Sequence, residues 1–70
     1  MSLTVPSEIR LVNNIAIQFH YLPADQAAAA VANHVKRFWD PRMKTRLFEL
    51  AAAGGEGLDP VALAAVTLLR

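Results

Sequence analysis

The dipeptide Asp40-Pro41 constrains this chain more than any other feature, because it makes one helix stop and another begin at a single point. A residue that precedes proline is pushed out of the α region, so a helix arriving at Asp40 ends there. The Asp40 carboxylate can then accept from first-turn amides, and Pro41 suits the first helical position, where a missing N–H costs nothing. The same pair recurs at Asp59-Pro60. The first pair lies within Phe38-Trp39-Asp40-Pro41-Arg42-Met43, which holds the only tryptophan of the chain. Phe38 and Trp39 are expected on the inside of the bend, where large rings bury most surface. Lys36, Arg37, Arg42, Lys44 and Arg46 crowd into the same eleven residues with Asp40 as their only acid. A chain of net charge +1 therefore concentrates most of its cations at one corner.

Between these fixed points the apolar spacing predicts an all-α fold, a small single domain of four short helices covering residues 1–70, with residues 1–6 expected to fray. Ser7 is read as the cap of the first helix, with Glu8 in its first turn, and the helix is expected to run to about Tyr21. Ile9, Leu11, Val12, Ile15, Ala16, Phe19 and Leu22 form its apolar stripe. Arg10, Asn14, Ile17 and Tyr21 recur at steps of four, three and four along a second stripe, and a solvated face seldom carries Ile and Tyr together. Pro23 breaks the pattern and Asp25 is read as the cap of a second helix reaching Trp39. Its core stripe is Ala27, Ala28, Val31, Val35, Phe38 and Trp39, with Asn33, Lys36 and Arg37 on the far side and His34 at the boundary. The alanines from Ala27 to Ala30 combine high helix propensity with little bulk, which lets another helix approach closely.

The third helix is predicted from Pro41 to about Ala53, burying Met43, Leu47, Leu50 and Ala51, while Phe48 lies off that stripe beside Lys44. A Gly-rich turn follows, in which Gly54 or Gly55 takes the left-handed conformation that ends a helix, Gly57 continues the turn, and Leu58 packs back on the preceding turn. A phosphate-cradling loop would need a preceding strand and a Lys that this sequence does not supply there. The last helix, VALAAVTLLR after Asp59-Pro60, is apolar nearly all round and is expected to be buried on every side. Four short helices cannot bury it alone, which points to a partner. Composition points the same way: 54% of seventy residues are hydrophobic, more apolar surface than so small a core easily encloses.

The chain has no cysteine, so disulfides, thiolate metal sites and a thiol nucleophile are excluded. The start MSLTVPSEIR lacks the basic-then-apolar pattern of a signal peptide, and no apolar run reaches the ~20 residues of a membrane span, so a cytoplasmic location is expected. His20 and His34 stand on different helices without a carboxylate at helical spacing, which makes a metal site improbable. No nucleophile, base and orienting group can be named together, so no catalytic residue is assigned. The basic corner permits an alternative: a helix-turn-helix-like nucleic-acid-binding module. Against it, few phosphates could be neutralised at net charge +1, and the helix after the corner has no Asn or Gln to read bases.

The run HVKRFWDPRMKTRLFELAAAGGEGLDP, residues 34–60, resembles the signature of the delta subunit of cytoplasmic NAD-dependent molybdenum or tungsten formate dehydrogenase. LVNNIAIQF in the first helix resembles the amino-terminal pattern of that family. Phe38, Trp39, Asp40, Pro41, Arg42 and Met43 match its central motif, and Gly54, Gly55, Gly57, Leu58, Asp59 and Pro60 match its second. The alanine run and the nearly uncharged last helix are more apolar than the family leads one to expect.

The resemblance implies a non-catalytic accessory subunit of a complex that converts formate and NAD to carbon dioxide and NADH. Such a chain braces the assembly or assists maturation of the large catalytic subunit. Molybdopterin, iron–sulfur clusters, FMN and NAD are expected in partner subunits, and no cofactor on this chain. The residues expected to meet the partner are Arg10, Asn14, Ile17 and Tyr21 on the second stripe and Arg37, Arg42 and Arg46 at the corner.

Overall fold

Residues 5–70 are described by a computed structural model as four helices: α1 (Ser7–Gln18), α2 (Ala24–Phe38), α3 (Pro41–Ala52) and α4 (Pro60–Leu69). Among the described residues there is no strand, and no helix is long and apolar enough to cross a membrane. The expected fraying of residues 1–6 falls, for residues 1–4, outside the described residues, whereas Val5 and Pro6 are half-buried.

Both Asp-Pro pairs start helices as their chemistry dictates. Asp40 Oδ1 accepts from the Met43 amide at 2.8 Å, and Asp59 Oδ1 accepts from the Val61 amide at 2.8 Å, each with proline at the first helical position. Replacing Asp40 with Ala should cost about 1 kcal/mol through the lost cap. For a domain of this size that lowers the melting temperature by roughly 4–8 °C, readable by circular dichroism. Unchanged melting would show that Pro41 alone sets the helix start.

The other two helix starts correct the expected caps. Pro6 and Pro23 hold the cap positions, with ψ of 145° and 150°, and neither Ser7 nor Asp25 supplies a side-chain cap. Proline suits that place because its fixed φ lies in the extended region a cap requires, while its carbonyl still accepts the first helical bond. Arg10 N–H donates to Pro6 O at 3.1 Å and Ala27 N–H donates to Pro23 O at 2.8 Å. Glu8 and Asp25 instead sit in the first turns, where negative charge is favoured by the helix dipole. At the other end α1 stops at Gln18, short of Tyr21. Its last turn tightens into three-residue bonds, Phe19 N–H to Ala16 O and His20 N–H to Ile17 O.

The core draws on all four helices: Val12 and Ala16 from α1, Val31, Ala32 and Val35 from α2, Leu47 from α3, Ala62, Ala65 and Val66 from α4, and Trp39 from the corner. The most extensive helix–helix contact is α2 with α4, where Ala27, Ala28, Ala32, Ala62 and Ala65 are buried and small side chains permit close approach. The chain measures 35 × 25 × 18 Å along its principal axes. Helices pack with axes about 8–10 Å apart, so the short dimension holds two layers and every helix keeps an outer face.

The expected burial of Leu11, of Phe38 and of the whole of α4 is corrected on this account. Leu11 is 46% exposed because Ile9, Val12 and Ala16 take the inward arc of α1. Phe38 is 70% exposed while Trp39 is buried. α4 is not enclosed, for Leu63 and Leu68 lie on its outer face. On α3 only Leu47 is fully buried, with Met43, Leu50 and Ala51 half-buried.

The Gly-rich turn closes α3 with paired bonds, Gly54 N–H to Ala51 O and Gly55 N–H to Leu50 O, both 3.1 Å, which satisfy carbonyls at the helix end. Gly54 (φ +121°) and Gly55 (φ +63°) adopt conformations that L side chains seldom take. Leu58 N–H donates to Gly55 O at 3.0 Å, and its side chain packs against the core cluster as the spacing predicts.

Candidate partner-docking surface

The corner is built by a change of backbone conformation between two neighbouring aromatic residues. Phe38 is the last residue of α2, and its ring points outward. Trp39 leaves the helix with φ −91° and ψ 140°, which turns its indole into the core, 8% exposed. The expected pairing of both rings inside the bend therefore holds for Trp39 alone.

Phe38 instead anchors a surface cluster. The His34 ring lies 4.9 Å from it, tilted by 44°, and the Arg37 guanidinium sits 5.8 Å over its face. A guanidinium within about 6 Å of an aromatic face is attracted to its electron-rich side by about 0.5–1 kcal/mol at an exposed site. Arg37 is thereby biased toward the face of the Phe38 ring.

Arg42 and Arg46 are one turn apart on α3 and are brought together at a shallow depression that Asp40, Met43 and Glu8 of α1 complete. Arg46 also pairs with Glu49 at 3.7 Å, a half-exposed contact of small energetic weight. Arg37 does not line this depression. Among the described residues neither Arg37 nor Arg42 takes part in an ion pair. Lys44 Nζ donates to the Lys36 carbonyl at 2.9 Å, placing a cation on the C-terminal end of α2, where the helix dipole favours it. Phe48, which sequence alone does not orient, is half-buried against the core and beside Lys44 in a groove.

The second stripe of α1 is on the surface. Arg10 and Asn14 are exposed, Ile17 is 59% exposed, and Tyr21, 78% exposed, lies in the turn after the helix. Its neighbour Asn13 carries a role that the spacing gives no hint of. Asn13 Nδ2 donates to Gly57 O and Asn13 Oδ1 accepts from Asp59 N–H, both at 2.8 Å. His20, in the turn after α1, reaches Asp59 Oδ2 at 3.1 Å. Asp59 thus caps α4 with one oxygen, meets the turn after α1 with the other, and donates its own amide to α1. Partners 39 to 46 residues apart leave no local signal in a sequence, so these contacts are visible only in the fold.

The described residues include no group of three or more His, Cys, Asp or Glu gathered to hold a metal ion. What the surface offers is cations at the corner interleaved with carboxylates, and apolar side chains on α1, α2 and α4. Protein interfaces draw on the same groups: arginines supply forked donors, and exposed aromatic or aliphatic groups supply anchors.

No curated protein and no solved structure is significantly similar to the chain. One family profile, described as the NADH-dependent formate dehydrogenase delta subunit FdsD, matches residues 9–66 and so reaches into all four helices and spans both Asp-Pro starts. The chain belongs to the delta subunit family of NADH-dependent formate dehydrogenase.

Proposed function

We propose that this chain is a non-catalytic accessory subunit of a cytoplasmic NAD-dependent formate dehydrogenase complex. It docks on the large catalytic subunit, braces the assembly or assists maturation of that subunit, and leaves molybdopterin, iron–sulfur clusters, FMN and NAD to its partners. The observation that carries this reading is the family match over residues 9–66. The surface supports it. Phe38, Ile17, Tyr21 and Leu68 are each more than half exposed on a chain too thin to cover them, and partner surface is the natural cover. A nucleic-acid partner is disfavoured because Arg42 and Arg46 share their depression with Glu8 and Asp40, carboxylates that repel phosphate.

The test is co-purification of the tagged chain with the large catalytic subunit from the native host, followed by assay of formate oxidation with and without the chain. Retention of the large subunit is expected, with metal and flavin in the complex and neither in the isolated chain. A chain that fails to retain the large subunit overturns the reading.

Within such a complex the corner arginines should differ in weight. Arg37→Ala, Arg42→Ala and Arg46→Ala are each expected to preserve the helices by circular dichroism. An arginine buried against the partner should matter by about 2 kcal/mol or more, and one on a wet rim by less than about 1. Arg42→Ala is expected to exceed Arg46→Ala, since Arg46 already spends part of its charge on Glu49. Affinity for the large subunit measured at two salt concentrations decides it. Wild-type binding by all three variants, with no effect of salt, would move the interface to Arg10, Asn14, Ile17 and Tyr21 or to α4.

A further inference from the structure

Where α2, α3 and the end of α4 meet, the surface opens into a groove of about 270 Å³. Ala32, Phe48, Leu68 and Leu69 give it apolar walls, and Lys36 and Lys44 stand at its edge. Leu68 is 58% exposed although it sits against this apolar lining. The groove is distinct from the depression beneath Arg42 and Arg46, with which it shares no residue.

The groove's size and charge select its occupant. At this volume the groove lies at the small end of the usual range for ligand pockets, about 300–1,000 Å³, and is large enough to seat one apolar side chain. No acidic residue lines it, while two ammonium groups flank it. Lys44 spends one donor on the Lys36 carbonyl and, as an ammonium, keeps two more for an incoming acceptor. A second copy of this chain fits poorly, because a two-fold contact through the groove would set the lysines of one copy against those of the other.

We propose that this groove receives an acidic segment of the partner protein, one apolar side chain seated between Phe48 and Leu68 and carboxylates on either side of it meeting Lys36 and Lys44. The inference rests on the accessory-subunit reading and adds to it the chemistry of the contacted segment. Apolar anchors in such sites carry most of the affinity, whereas flanking charges set the encounter rate and the salt dependence. Lys36 therefore steers and Leu68 holds.

The experiment uses the full chain and the formate dehydrogenase complex purified from a native host from which the gene for this chain has been deleted. A photoreactive benzoylphenylalanine replaces Leu68 in one preparation and Ile17 in another, and cross-linked peptides are identified by mass spectrometry. The expected result is a cross-link from position 68 to a partner segment in which carboxylates flank an apolar residue. In parallel, Leu68→Asp should weaken binding at least about tenfold. Lys36→Glu should weaken it about fivefold at low ionic strength, with the effect shrinking as salt screens the charges.

Cross-links from Ile17 with none from position 68 would overturn the groove and leave the accessory-subunit reading standing. Cross-links only between two copies of this chain, or to a segment without carboxylates, would overturn it as well. Wild-type affinity for both Leu68→Asp and Lys36→Glu would do the same. If the unmodified chain does not bind the complex, the accessory reading itself falls and the groove with it. Should Leu68→Asp lose helix by circular dichroism, Lys36→Glu, an exposed change of charge alone, decides the matter.

Discussion

Trp39→Ala is expected to remove about 3–5 kcal/mol of fold stability, the usual cost of deleting a large buried aromatic ring. The core cluster that Trp39 completes limits how far relaxation can recover the loss. Its other buried members are Val12, Ala16, Val31, Ala32, Val35, Leu47, Ala62, Ala65 and Val66, nearly all short side chains with little reach into the space an indole vacates. Small domains carry roughly 0.05–0.15 kcal/mol per residue, so a chain of this length has about 4–10 kcal/mol in all. The variant alone should melt at least about 12 °C below the wild type, and partner binding should recover part of its melting temperature by mass action. Phe38→Ala provides the contrast, because a residue 70% exposed and outside the core should lose little beyond its contact with Arg37, about 0.5–1 kcal/mol. Thermal melts of the two variants side by side decide the point. Equal losses would mean that the corner is held from both sides.

The two Asp-Pro helix starts and the glycine stop after α3 were readable in the sequence because each is made by residues within a few positions of one another. The all-α architecture and the inward placement of Val12, Ala16, Val31, Val35 and Leu47 follow from helical spacing for the same reason. Ser7 and Asp25 misled because a proline before each already had the backbone conformation that a cap needs, so the boundary moved by one or two residues. Phe38 misled because helical periodicity stops at the helix end. Once Trp39 becomes extended, two adjacent rings that looked equivalent point in different directions. The outer faces of Leu11, Leu63 and Leu68 depend on which helix lies beside which, and spacing within one helix carries no such information.

The exposed stripe of Arg10, Asn14, Ile17 and Tyr21 was also foreseen as a surface, yet the residue with the most definite contacts on that helix is Asn13. Asn14 stood out by its place in a repeat, whereas Asn13 acts through one backbone acceptor and one backbone donor that the chain supplies more than forty residues later. A side-chain amide is suited to this because it offers a donor and an acceptor from one planar group. It therefore fastens the loop on both sides of Leu58, and Leu58 is the residue that returns that loop to the core.

Asn13→Ala is expected to cost about 2–3 kcal/mol. Two hydrogen bonds are lost, each worth roughly 0.5–1.5 kcal/mol net, and the part-buried Asp59 N–H is left with reduced access to water. The damage should be local at first. Asp59 would remain able to cap Val61, but its own amide and the Gly57 carbonyl would no longer be tied to α1, so the Asp59 amide should exchange with solvent much faster than before. His20→Ala removes the tie between Asp59 and the turn after α1 and should cost less than about 1 kcal/mol, since its side chain is 48% exposed and the pair is screened by water. Asn14→Ala, on an exposed face, should stay within about 0.5 kcal/mol. The order Asn13 above His20 above Asn14, read from chemical denaturation with unchanged slopes, is the signature of a loop latched to α1 through one amide. If Asn13→Ala and Asn14→Ala unfold at the same denaturant concentration, the loop is held by Leu58 packing alone and the two 2.8 Å bonds contribute nothing to its position.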